Sequence, residues 1–235
     1  MKAKVLHNKG LAYQNLENYY ESIMNYLQAR NLKDSLVAIN FPKINYTDQL
    51  TTYSMLGNLY SDLFQIESAR STLQKAIDMV PHEEYYRRMA TIYNLAVLEE
   101  KDSNYAQART LLLESMELAE KGNFIDSKAY FFDALGTVSR STLQMEQAKS
   151  YYDQAQQILD SFPQPTVQAG LYNNVGMYYL MMNDLDNAYN SALKGLELGM
   201  AIGDSRKKWM PTRYYGKCRR RRATGKMQLN MLRLT

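Results

Sequence analysis

Bulky apolar residues and very small ones recur in fixed phase along most of the chain. Small residues stand at Gly10, Gly57, Ala96, Gly136 and Gly176, at intervals of 47, 39, 40 and 40 positions. Four positions before them come Leu6, Tyr53, Ile92, Phe132 and Tyr172. Nine after them come Tyr19, Ile66, Tyr105, Met145 and Leu185. Twelve after them the residue is small again: Ser22, Ala69, Ala108, Ala148 and Ala188. Nineteen after them stand Ala29, Ala76, Ser115, Ala155 and Gly195.

Residues four apart share one face of an α-helix. A bulky residue followed four later by a tiny one therefore fills space beside a site where a neighbouring backbone comes close. Turn formers such as Asp102-Ser103-Asn104 and Asn183-Asp184 separate the two halves of a unit, because their short polar side chains bond nearby backbone. Each unit thus reads as helix A, tight turn, helix B. The expected pairs are 3–16 with 19–34, 47–63 with 66–79, 84–101 with 105–121, 125–142 with 145–161, and 166–182 with 185–202. One hairpin cannot cover its own apolar face, so the units must stack. The large residues Tyr53 and Phe132 are expected as core anchors. Pro42 marks a linker around Asn40-Phe41-Pro42-Lys43 that accounts for the longer first interval, and Pro163 and Pro165 divide the fourth pair from the fifth.

Tyr53, Leu56, Gly57, Tyr60, Ala69, Leu73, Ala76 and Pro81 resemble the tetratricopeptide repeat at nearly every consensus position. Tyr172, Val175, Gly176, Tyr179 and Ala188 repeat most of that pattern, and Leu6, Gly10, Tyr13 and Tyr26 give a weaker copy. The resemblance covers roughly residues 3–202. It implies an all-α fold, a right-handed superhelical solenoid of about five antiparallel helix pairs. The period here, about 40 residues rather than the family's usual 34, looks like the long variety found in bacterial signalling regulators and motor light chains. In such stacks the A helices line a groove that takes a peptide or a partner helix. Carried over by position, the resemblance implies groove residues His7, Asn58, Tyr93, Glu100, Asp133, Thr137, Arg140, Asn173 and Met177. Asn58 alone suits a clamp for a terminal carboxylate, so that specialised use is not expected.

Charge divides the chain where the repeat fades. Residues 206–235 hold eleven Lys or Arg and no acid, leaving 17 basic against 24 acidic side chains in the rest. We therefore expect a repeat domain at 1–205 and an atypical basic tail at 206–235. Gly216 falls 40 positions after Gly176, and Tyr214-Tyr215-Gly216 would open a sixth unit. The run Lys217-Cys218-Arg219-Arg220-Arg221-Arg222 supplies no apolar anchor, so the tail reads as a failed or truncated sixth repeat, such as a shifted reading frame or a vector-derived tail would write. The first helix begins almost at Met1 with no capping helix before it, as in an array cut from a longer one.

No residue constellation points to catalysis. The two histidines, His7 and His82, lie in different repeats, and His82-Glu83-Glu84 are consecutive, so their side chains do not share a helix face. We expect no metal, no cofactor and no enzyme activity. The single cysteine, Cys218, excludes an internal disulfide. No apolar run is long enough to span a bilayer, and no secretion signal opens the chain, so a cytoplasmic location is expected. The expected function is a protein–protein interaction scaffold. The alternative is nucleic-acid binding through the arginine run, where phosphate contacts would be strongly salt-dependent; the tail carries no recognised nucleic-acid fold.

Overall fold

The computed structural model describes residues 1–39, 41 and 45–203. Among them lie ten α-helices and no strand. They are α1 (Lys2–Asn15), α2 (Tyr19–Ala38), α3 (Tyr46–Asp62), α4 (Ile66–Met79), α5 (Tyr85–Lys101), α6 (Tyr105–Lys121), α7 (Lys128–Ser141), α8 (Met145–Ser161), α9 (Pro165–Met181) and α10 (Leu185–Ala201). Successive helices pair into five hairpins with the expected A–B order. The hairpins fall into two compact units, Met1–Asn123 with three and Phe124 onward with two.

The small positions do what their spacing demands. Ser22, Ala69, Ala108, Ala148 and Ala188 are all fully buried, as are Ala29, Ala76, Ser115 and Ala155. Where a small residue is serine, its hydroxyl is satisfied locally: Ser22 Oγ donates to the Gly10 carbonyl at 2.8 Å. A Cβ added to Gly10 would stand 2.8 Å from the Tyr26 ring, one on Gly57 2.7 Å from Leu73, and one on Gly136 2.5 Å from Tyr152. Tyr26, Leu73 and Tyr152 all stand sixteen positions after their glycine. Helix B thus lays a large side chain across the bare backbone of helix A. The same register pairs Ala96 with Leu112, buried to 1% exposure each. In the fifth hairpin it pairs Gly176 with Ala192, and the buried face of α10 consists only of Ala188, Ser191, Ala192, Gly195 and Gly199.

The turn inside each hairpin is also one repeated object. Glu17, Phe64, Ser103, Leu143 and Asn183, each seven after the small residue, have φ between 57° and 62°. The next residue's N–H reaches back five positions to a carbonyl at 2.8–2.9 Å, and the left-handed residue's own N–H reaches back three at 3.0–3.2 Å. That is a Schellman ending, which satisfies carbonyls the helix would leave orphaned. The residue that closes it is already the N-cap of helix B: Asn18, Gln65, Asn104, Gln144 or Asp184. Only the left-handed residue between the helices lies outside both helix and cap.

Three expectations are corrected. Helix α2 runs to Ala38, past the expected end at 34. Helix α7 begins at Lys128 rather than 125, because residues 125–130 first form a tighter turn with N–H to carbonyl bonds three residues apart, at 3.2–3.4 Å. The anchor of the fourth hairpin is Phe131, 3% exposed. Phe132 is only half-buried, packed on the rim of the core and stacked 6.1 Å from Tyr151. The same step inward occurs at Leu171, fully buried ahead of half-buried Tyr172. Most of the Asn40–Lys43 linker and the whole 206–235 tail lie outside the described residues.

Candidate functional site

In the first unit, α3 and α5 stand side by side and enclose an open cleft of about 480 Å³. Thr51, Ser54, Thr91 and Asn94 give it hydroxyls and an amide, Leu50 and Ala90 give it an apolar part, and Tyr86, 58% exposed, stands at it. Its charges are already engaged: Arg87 pairs with Glu84 at 2.6 Å and Asp48 with Lys4 at 3.3 Å. Asn58 on α3, and Tyr93 and Glu100 on α5, are half-buried in this unit but do not line the cleft.

His7 is part of an interior cluster rather than an open face. Its Nδ1 lies 3.1 Å from Thr52 Oγ1, and its ring packs 5.3 Å from that of Tyr26. Beside it Lys33, 2% exposed, donates to the Asp48 carbonyl and to Thr52 Oγ1, both at 2.7 Å. Burial first, and then the Lys33 charge, holds the His7 imidazole below its usual range, with Asp48 opposing. Burial likewise lowers the Lys33 ammonium. A lysine inside a helix normally reads as a solvent-facing residue, so nothing in the sequence marks this one as buried.

In the second unit three of the expected residues meet on one face. Asp133, Thr137 and Arg140 rise along α7, with Asp133 and Arg140 two turns and about 10 Å apart. Asn174 of α9 donates its amide to both Asp133 oxygens, at 2.9 and 3.0 Å. Arg140 Nε donates to the Tyr152 hydroxyl at 3.3 Å, and its Nη1 approaches Met181 Sδ at 3.7 Å. Thr137 donates to the Asp133 carbonyl at 3.1 Å and lies 3.4 Å from the same Tyr152 hydroxyl. Among the described residues neither Asp133 nor Arg140 has an ion-pair partner. Burial raises the Asp133 carboxyl to about 6, against the pull of the Asn174 hydrogen bond and the Arg140 charge.

Met177 is half-buried on α9. Asn173 lies elsewhere: its Oδ1 is sealed from solvent without a partner, 2.7 Å from where a Cβ on Gly195 would stand. The bond to Asp133 is made by its neighbour Asn174, one helical step of 100° away. Asn174 and Tyr152 were the residues missed. Tyr152 could have been found from its place sixteen after Gly136; Asn174 had no signal beyond adjacency.

Among the described residues, no three His, Cys, Asp or Glu side chains gather as a metal ion would require. No described helix is long and apolar enough to cross a membrane.

Hairpins joined by Schellman turns, with a bare position on A under a large residue of B, define an α-hairpin solenoid fold. Residues 3–34 and 50–82 match the family model described as Tetratricopeptide repeat. Those hairpins are tetratricopeptide repeats, and the other three repeat their register. No curated protein matches by sequence. Solved structures match in fold. The Rap conjugation gene regulator of plasmid pLS20, in complex with the Phr* peptide, aligns with TM-score 0.73 at 17% identity, over 88% of this chain and 56% of that one. Aspartyl phosphate phosphatase F from Bacillus subtilis aligns with TM-score 0.66 at 16%, over 94% and 60%. A putative kinesin light chain with nearly identical TPR-like repeats, from Podosopora anserina, aligns with TM-score 0.62 at 14%, over 86% and 96%. The chain spans less than two thirds of the length of the first two. At such identities the likeness is one of fold.

Proposed function

We propose that the chain is a non-catalytic interaction module that takes up a peptide or partner helix on its A-helix faces, as the sensing part of a bacterial cytoplasmic regulator. The observation that carries the reading is the pair Asp133 and Arg140. An acid and a base stand two turns apart on one A helix, held by neutral partners only, and so are available to opposite charges on a ligand. Leaving charged groups half-buried without a direct ion pair costs stability, which a binding role offsets. The cleft between α3 and α5 adds a mixed polar and apolar surface of suitable size in the first unit. The regulator with the same fold was solved holding a peptide, which favours a peptide over a globular partner.

The test is capture from bacterial lysate on the immobilised chain, with mass spectrometric identification and titration of the recovered peptide or protein. Asp133→Ala and Arg140→Ala should each weaken that binding about tenfold, the scale of losing one charge-assisted contact. Reproducible turnover of a small metabolite by the purified chain, untouched by these substitutions, would replace the scaffold reading with an enzymatic one.

A further inference from the structure

Helix α9 shows a second open side, away from Asn174 and Met181. There α8 and α10 form two walls and α9 the floor of a trough of about 610 Å³. Tyr172, Val175 and Tyr179 make the floor, all apolar in body and all only half-buried. They span seven residues, two helical turns or about 10 Å.

The first unit shows what closes the equivalent place. Arg70 on α4 and Glu99 on α5 stand at the register positions of Lys149 and Tyr179, thirteen and three after their small residues. Arg70 crosses from one hairpin to the next, bonding Glu99 at 2.7 and 3.2 Å and Asp102 at 2.6 Å. Lys149 instead turns along its own helix to Asp153, at 2.7 and 2.9 Å. It does not bridge to α9, and Tyr179 stays half-buried. On the other wall, the Lys194 ammonium hovers 5.3 Å from the Tyr172 ring centroid. Lys194 and Glu197, one turn apart, have no ion pair among the described residues.

We propose that this trough is a docking surface for an amphipathic helix of a partner protein. Its apolar stripe covers Tyr172, Val175 and Tyr179, and its flank sets an acid against Lys194 and a base one turn on against Glu197. The occupant is helical because all three helices satisfy their own backbone and offer no edge to pair a strand. An extended segment would leave its own N–H and C=O groups unmatched. Charge sets the direction in which the helix lies, since Lys194 and Glu197 on α10 have no ion pair among the described residues while Lys149 and Asp153 on α8 neutralise each other. Tyr152 borders both the trough and the Arg140 side chain, but Tyr172, Val175, Tyr179, Lys194 and Glu197 take no part in the Asp133 network, so the inference does not rest on the A-face reading.

Two synthetic helical peptides of equal composition test it by fluorescence anisotropy at low salt. Both carry leucines at i, i+3, i+4 and i+7; one has Glu then Lys a turn later on the flank, the other has the two exchanged. The first should bind the full chain about tenfold tighter than the second. The double variant K194E/E197K should reverse that preference, a readout that a merely unfolded protein cannot give. Tyr179→Ala should weaken both peptides, with circular dichroism confirming an intact helical fold. Equal affinity of the two peptides, a preference that survives the charge exchange, or sensitivity to Asp133→Ala instead would overturn the proposal.

Discussion

The two units share one hairpin and differ in how hairpins are joined. In the first, a buried cluster of Tyr26, Leu56 and Leu59 joins the first two hairpins, and polar ties between hairpins are many: Lys33 to Asp48 and Thr52, Asp34 to Gln49 and Tyr53, Tyr46 to Glu84, Arg70 to Glu99 and Asp102, Lys101 to Ser61 and Asp62. In the second the ties are mostly aromatic and aliphatic. Tyr152 meets Tyr178 edge-on at 6.2 Å, and Leu159 and Leu171 are fully buried in the same cluster. The polar ties there are fewer: Asn174 to Asp133, Arg140 to Met181 Sδ, and Gln164 to the Asp126 carbonyl. The small positions inside a hairpin thus leave its outside free to vary. A register can be kept while the balance of polar and apolar contacts between neighbouring hairpins shifts.

The largest expected effects probe the two kinds of joint directly. Tyr152→Ala should cost about 3–5 kcal/mol, because it empties the space over Gly136 and removes the ring between α7 and α9. Arg70→Ala should cost about 2–4 kcal/mol, since Glu99, with its side chain 4% exposed, would keep a buried charge with only the Asn104 amide beside it. Urea unfolding followed by hydrogen exchange resolved per helix measures both. Losses of similar size spread over the other unit as well would mean that the chain unfolds as one body.

A middle-sized effect sets the units against each other in pH. His7 is held below its ordinary value in the folded state, so the unfolded chain binds the proton first. Its contribution is complete above pH 6.5 and is lost as pH falls through the lower folded value. Asp133 is raised from 3.8 to about 6, so its contribution is complete below pH 3.8 and is lost as pH rises through 6. Between pH 5 and 7.5 the first unit should gain protection while the second loses it, after correction for intrinsic exchange. Asp133→Asn should add about 1–2 kcal/mol to the second unit at pH 7.5 and flatten its slope. Parallel slopes in the two units would contradict these assignments.

The smallest effect concerns what they have in common. Leu143, 73% exposed, adopts φ 62° in the turn between α7 and α8. Leu143→Gly should raise stability by about 0.5–1 kcal/mol, since glycine accepts that conformation without Cβ crowding. A loss of stability would show that the exposed leucine makes contacts worth more than the strain.

What the sequence revealed follows from the same physics. The bounds of α4, α6 and α8 were readable to the residue, because each starts straight after a fixed turn and ends where its small-residue period stops. Phe131 and Phe132 could not be ranked, since neighbouring aromatics satisfy the same pattern and only the approach of a third helix chooses between them. Asn173 and Asn174 posed the same ambiguity on α9. The burial of Lys33 was illegible for a different reason: its partners, Asp48 and Thr52, come from the next hairpin, at sequence distances that no local period reports.

The shared residue that ends helix A and caps helix B has a consequence for synthesis. With no slack between them, the two helices of a pair lie beside each other as soon as both have formed, and the contacts they make are short-range in sequence, which favours rapid closure. A pair of about 35 residues leaves the ribosome in roughly 2–7 s at ordinary elongation rates. Within each compact unit the nascent polypeptide can therefore fold in instalments, a finished hairpin serving as the template on which the next condenses.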